Sequence, residues 1–489
     1  MNDLQFTVPE EVGISSKDIE GFIDKIEKNR INLHGFIMMR HGKVAAEGYF
    51  KPFHKDFLHR LYSTSKTFAA AAIGLLYDEG KISLDDKVVN FFPDKLPKGE
   101  IHPYIAETSI KDLLIMATPL PKSYTIDDDD WNAVFFNTKP THPPGTIFKY
   151  ETCASNLLNT IVERITGMPF LEYMKKRMLG YMGFSENAWC VKAPEGSSWG
   201  GSGVIATTRD LLKFAQVFLN EGQYNGKQLI SKEYIRAATT KQIDNNADGA
   251  NHLWSHGYGY QTWILDDGGF AFRGMGTQLA ICMPKKDFIF VCTGDTQGSV
   301  HGERVIFDTL QYEIIDKMTD ELPKDKKAYE NLLKRCENLQ VQTIPGESTS
   351  GYLDKINGVT YNLHDNPMEI SKITLQFEGD EGSLLYTNPR GDKEIKFGIK
   401  KFVESGFPET HYYDDIVKKP CGRMYNSISC AAWTQEHKLV IRTYIIDNYF
   451  GNLTTTLSFK GDEVGLHMNK TAEFFLNEYQ GFAGGYKTL

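Results

Sequence analysis

Ser63 and Lys66 stand at the only Ser-x-x-Lys spacing in a chain of 489 residues. They lie in the run Leu61-Tyr62-Ser63-Thr64-Ser65-Lys66-Thr67-Phe68. A serine hydroxyl attacks a carbonyl only when a neighbour takes its proton in the transition state. Residues three apart on a helix share one side, so the lysine amine reaches the hydroxyl. The amine accepts a proton only when neutral. Free lysine titrates near ~10.4, so a base working near pH 7 needs a downward shift of about 3 units, on the order of 4 kcal/mol, from desolvation and nearby positive potential. The bland reading is a serine cap beside a solvated lysine.

The surroundings favour chemistry. Ser63 to Thr67 supply capping hydroxyls, four alanines propagate a helix, and Phe68, Ala72, Leu75 and Leu76 form one apolar face that would be buried. Ser63 then sits where the helix dipole favours developing negative charge. The run Leu61 to Leu76, followed by Asp78-Glu79-Gly80-Lys81-Ile82-Ser83-Leu84-Asp85-Asp86-Lys87-Val88, resembles the serine beta-lactamase and penicillin-binding-protein superfamily. The likeness is to its branch of class C beta-lactamases, esterases, D-amino-acid peptidases and nylon-oligomer hydrolases, and it covers roughly residues 8 to 320. Val88 to Pro93, Ser109 to Thr118, Met182 to Trp189 and Trp199 to Leu211 resemble family landmarks in the same order, although the usual glycine after the run Leu113 to Thr118 is missing.

The resemblance implies an α+β fold, with a central antiparallel sheet flanked by helices plus an all-helical subdomain. It implies a serine hydrolase acting through an acyl-enzyme on an ester, amide or lactam carbonyl, with no cofactor and no metal. Pro144 to Thr152 matches the family's Tyr-x-Asn loop, which implies that Tyr150 shuttles the proton, its pKa lowered from about 10 by the neighbouring ammonium. Thr152 replaces the asparagine, giving one donor and a shorter reach. The strand carrying Arg273-Gly274-Met275-Gly276-Thr277-Gln278 stands where the family has Lys-Thr-Gly or His-x-Gly. It resembles the Gly-x-Gly-Gly-Gln pattern of the nylon-hydrolase-like branch. A backbone N–H needs no particular side chain, so an oxyanion hole from Ser63 and Gly274 to Gly276 survives, each donor contributing about 100 to 1000-fold in rate. Arg273, Gln278, Thr152 and Trp131 are the expected substrate contacts. These departures make an esterase or amidase a better expectation than a true beta-lactamase. The alternative is a non-catalytic binder of small ligands or peptides.

Composition bounds the partners. A net charge of -9 argues against a polyanion, since phosphate neutralisation needs concentrated Lys and Arg. Nucleic acid is excluded on that ground. The amino-terminal stretch Met1 to Glu11 has neither a basic region nor an apolar core, so no leader is expected there, and no apolar run approaches a membrane span. Seven scattered cysteines read as reduced core residues, which points to the cytoplasm. The expected partner is a small ester, amide or peptide.

Along the chain, a helix is expected over Ser15 to Lys28, and a hairpin over Gly35 to Phe50 around a structural His41-Gly42 turn. A helix is expected over Ser155 to Thr166, and two strands over Phe270 to Pro284 and Asp287 to Thr293. The acidic run Asp127 to Asp130 reads as a solvated loop rather than a cation site. Residues 1–320 form the hydrolase domain, 321–350 a helix and linker, and 351–489 an accessory domain. In the last, short alternating strands such as Ile373 to Phe377 and Leu453 to Phe459 predict an antiparallel barrel or sandwich. Packing on the catalytic unit or a homo-oligomer contact is its expected role.

Overall fold

The computed structural model describes residues 4–246, 253–299 and 301–488; the first three residues of the amino-terminal stretch lie outside these. The chain divides into two units, one of Met1–Val341 with Asp415–Lys419, the other of Gln342–Asp414 with Pro420–Leu489. The helix Lys326–Glu337, expected within a separate connecting segment, groups with the first unit.

A seven-stranded sheet organises the first unit, in the order Gln5–Phe6, Lys43–Tyr49, Leu33–Arg40, Phe288–Gly294, Gln278–Met283, Phe270–Gly274, Trp263–Ile264. All pairings are antiparallel except the short edge strand Gln5–Phe6. The hairpin expected over Gly35 to Phe50 is present. Its central strand Leu33–Arg40 is buried along its whole length, as a strand covered on both faces must be. Helix Ser16–Lys28 caps its start with Ser15, which accepts from the Lys17 N–H, and buries Ile19, Phe22, Ile23 and Ile26.

The run from Phe270 differs from expectation. One strand becomes two, Phe270–Gly274 and Gln278–Met283, because Gly276 and Thr277 take left-handed φ values of 74° and 71° and fold a tight turn. That turn carries Met275 to the rim of the sheet. The second helix expectation is also corrected. The helix begins at Thr152, three residues early, because the Glu151 side chain accepts from the N–H groups of Cys153 and Ala154.

Helix Ser65–Asp78 buries every residue from Ser65 to Leu76, on all sides rather than one. It is a central helix, packed against Thr152–Thr166. The hydroxyls before it do not cap it. A single turn of 3-10 helix, Tyr62–Thr64, precedes it, Thr64 Oγ1 donates to Gln278 O, Ser65 Oγ accepts from the Val204 N–H, and Thr67 Oγ1 donates to Gln261 O. The hydroxyls tie the helix start to three other segments, which fixes Ser63 between them.

The second unit is a closed nine-stranded β-barrel. Strand Gly391–Ile399 closes it by pairing parallel with Asn426–Gln435 through Gly398 and Cys430, and Val403–Gly406 adds to the edge of the latter. Leu384, Phe397, Ile441, Leu453, Leu457 and Met468 are among the apolar side chains that fill its core. No helix among the described residues is long and apolar enough to cross a membrane.

Candidate active site

Ser63 stands at the entry of the central helix and Lys66 one turn in, so their meeting is a local consequence of helical geometry. Lys66 Nζ donates to Ser63 Oγ at 3.1 Å, to Thr152 Oγ1 at 3.3 Å and to Gly201 O at 2.6 Å. Only 2% of Lys66 is exposed. Thr152, at the start of its helix, thus reaches the lysine despite its short side chain. Gly201 is required where it is: a Cβ there would lie 2.3 Å from Thr152 Cγ2. Its carbonyl completes the set of Lys66 partners, a contact that the likeness of Trp199 to Leu211 to a family landmark did not single out. The doubled glycine Gly200-Gly201 was the available signal, since it marks close backbone approach.

The Tyr150 ring centroid lies 5.2 Å from Lys66 Nζ. The ring leans against Trp263 at 5.3 Å. Burial pushes its phenol up to about 12, with the Ser63 hydrogen bond and the Arg273 charge opposing. The expected lowering of this pKa is therefore corrected. Desolvation of the phenolate outweighs the favourable neighbours, so the phenol is protonated at neutral pH.

Ser63 and Tyr150 border an open cavity of about 390 Å³, whose other walls include Trp263, Arg273, Gly274, Met275, Gly276 and Glu303. Arg273 borders the cavity with its charge already paired, because it donates two hydrogen bonds of 2.7 Å to Glu303.

Two expected substrate contacts are corrected. Trp131 is fully buried, stacked on Tyr124 at 4.1 Å and edge-on to Trp199. The family likeness puts this stretch at a wall of the pocket, but packing claims Trp131. Gln278 is also buried. Its Nε2 donates to Met275 O and Gly294 O and its Oε1 accepts from the Gly294 N–H, so it braces the turn carrying Met275. The acidic run is divided among separate tasks: Asp128 accepts from Thr125, and Asp130 caps helix Trp131–Asn137.

A set of three side chains that could ligate a metal lies in the barrel, where ligand atoms of Glu409, His411 and Glu478 fall within 4.8 Å of one another. Both carboxylates are already engaged. Lys393, Asn388 and Tyr479 donate to Glu409, and Tyr412 donates to Glu478.

The beta-lactamase family model matches residues 24–308, more than half of the chain. An uncharacterised protein of Mycobacterium tuberculosis is 23% identical over 275 residues, covering 44% of this chain and 68% of its own. The 6-aminohexanoate-dimer hydrolase of Paenarthrobacter ureafaciens is 24% identical over 220 residues, covering 41% of this chain and 56% of its own. Among solved structures, a Bacillus anthracis protein assigned provisionally as a 6-aminohexanoate-dimer hydrolase aligns with a TM-score of 0.52 at 20% identity, over 66% of this chain and 89% of that one. The match at the level of sequence covers the antiparallel sheet and the helix that presents Ser63 and Lys66, and on it the chain belongs to the beta-lactamase family.

Proposed function

We propose that the chain is a serine hydrolase that cleaves an ester or amide through an acyl-enzyme on Ser63. The observation that carries this reading is the 3.1 Å contact between Lys66 Nζ and Ser63 Oγ, with Ser63 and Tyr150 both bordering the cavity. With the Lys66 amine neutral, the Ser63 hydroxyl donates across that contact, and Ser63 Oγ forms a bond to the substrate carbonyl carbon as its proton passes to the amine. Because the Tyr150 phenol stays protonated, it serves as donor to the leaving group and recovers a proton from Lys66. Backbone N–H groups of Ser63 and Met275 hold the oxyanion, with Gly274 and Gly276 giving the turn room to present the second. The bond to the leaving group breaks, and water then hydrolyses the acyl ester and restores the serine.

Amide and ester substrates suit this site better than beta-lactams, because Arg273 is committed to Glu303. Similarity to a 6-aminohexanoate-dimer hydrolase agrees with hydrolysis. The seven thiols, all free, suit a reducing cytoplasm. Residues 351–489, apart from Asp415–Lys419, which group with the first unit, serve as an accessory domain.

The test is covalent labelling. A fluorophosphonate should modify Ser63, located by mass spectrometry of the digested protein, and Ser63→Ala should lose both the adduct and p-nitrophenyl ester turnover. Saturable ligand binding with no adduct and no turnover would sink the hydrolase reading and leave a binding protein.

A further inference from the structure

Among the described residues, two charged side chains border the Ser63 cavity, and they pair with each other. Arg273, on strand Phe270–Gly274, donates from Nε to Glu303 Oε1 and from Nη2 to Glu303 Oε2, both at 2.7 Å. This is the parallel fork that guanidinium and carboxylate form best. Glu303 comes from the first turn of helix Gly302–Glu313, and its Oε2 also accepts from Trp254 Nε1 at 3.1 Å. The guanidinium carbon lies 4.8 Å from the Trp254 ring centroid and 5.3 Å from that of Trp263. Two elements and two tryptophans therefore hold the pair in one geometry.

The consequence is electrostatic. A substrate carboxylate arriving at Arg273 finds guanidinium N–H groups that the fork leaves over, but the charge it would pair with is already countered by Glu303, which gives up no translational freedom to bind. An arriving ammonium would likewise meet a carboxylate whose charge Arg273 already counters. The uncharged side chains bordering the cavity include Trp263, Thr296 and Ser299.

We infer that the Ser63 cavity selects uncharged esters or amides, with neither carboxylate nor ammonium on the acyl group, and that the Arg273–Glu303 pair sets this selection by cancelling its own charges. The inference rests on the acyl-enzyme reading of Ser63. It works in two directions. Glu303→Gln leaves the cation of Arg273 facing the cavity and shifts preference toward acyl groups bearing a carboxylate. Arg273→Gln leaves the anion of Glu303 and shifts preference toward acyl groups bearing an ammonium. A pair with only a structural role would lower turnover of every substrate in the same proportion.

The experiment measures kcat/KM of the full chain and both variants on three p-nitrophenyl esters of equal chain length, octanoate, monosuberate and 8-aminooctanoate, whose chains are too long to cyclise onto the ester. The wild type should favour the neutral ester over each charged one by about tenfold or more, the scale of one charged hydrogen bond. Glu303→Gln should raise the suberate-to-octanoate ratio by about tenfold, and Arg273→Gln the aminooctanoate-to-octanoate ratio by about as much. A wild type that prefers a charged ester overturns the inference, and needs no variant. So do two variants whose ratios stay within about threefold of the wild type, the range of an exposed ion pair. Fluorophosphonate labelling of Ser63 runs alongside. If the wild type is not labelled, the acyl-enzyme reading itself fails, whereas labelling with unmoved ratios overturns only the role of the pair.

Discussion

Tyr150 in the first unit and Tyr479 in the barrel are both phenols that burial makes harder to ionise, but the groups facing them are opposite in sign. Tyr150 has a hydrogen bond with Ser63 and the positive field of Arg273, and its pKa stops at about 12. Tyr479 is 1% exposed, donates to Glu409 Oε1 at 2.6 Å and touches Tyr386 OH at 2.8 Å, and burial, Tyr386 and Glu409 together drive its pKa far above the ordinary range. Glu409 shows the other half of that arrangement. Burial raises its pKa, but hydrogen bonds from Tyr479 and Asn388 and the Lys393 charge outweigh it and hold the carboxyl below its usual value. A proton on Tyr479 is locked between a carboxylate and the interior. A proton on Tyr150 sits beside neutral and cationic neighbours at an open cavity, where it can be passed on.

Changes at the two clusters should therefore register in different measurements. Lys66→Met removes the proposed proton acceptor while keeping the side-chain length, and ester turnover should fall by about 10⁴-fold. Turnover within tenfold of the wild type would mean that another group takes the serine proton. In the barrel, Glu409→Ala leaves Lys393, Asn388 and Tyr479 without their acceptor. It should cost about 3–5 kcal/mol in urea unfolding, with turnover unchanged while the chain is folded. An unperturbed unfolding curve would break the contrast. Removing the two hydroxyls separates the clusters further. Tyr150→Phe should lower turnover by about 100-fold with little change in stability. Tyr479→Phe should cost about 1–3 kcal/mol of stability and leave turnover alone.

What could be read from the sequence was whatever depended on short spacing. Ser63 and Lys66 meet because a helix turn brings them together, and the barrel strands Lys372–Glu378 and Phe450–Lys460 follow from alternation, which is also local. The carbonyl of Gly201 comes from 135 residues beyond Lys66, and the doubled glycine there marks a close backbone approach without saying which side chain it meets. Glu303 was missed for a related reason. It is one of three acids on helix Gly302–Glu313, and only the folded sheet sets Arg273 opposite it. Trp131 and Gln278 failed in the other direction. Each is a residue type that often touches ligands, but burial decides its role, and burial depends on packing between segments. Closure of the barrel through a parallel pairing is likewise invisible in strand patterns.

The smallest effect lies at alkaline pH, and it tests the assignment of Tyr150 as donor rather than standing base. An unfolded tyrosine ionises near ~10. In the folded chain Tyr150 waits until about 12, so its contribution to stability is fully present below the unfolded value and is lost as pH rises through the folded one. Titration followed by tyrosinate absorbance should therefore show no difference between wild type and Tyr150→Phe below about pH 10. Above that, Tyr150 should add its step before Tyr479, which ionises only as the barrel opens. Arg273→Gln removes the cationic field and should move the Tyr150 step upward, toward the behaviour of Tyr479. A tyrosinate signal that disappears in Tyr150→Phe at neutral pH would mean that the phenol is already ionised. It could then take the Ser63 proton itself, and Lys66 would be left to stabilise the phenolate rather than to act as the base.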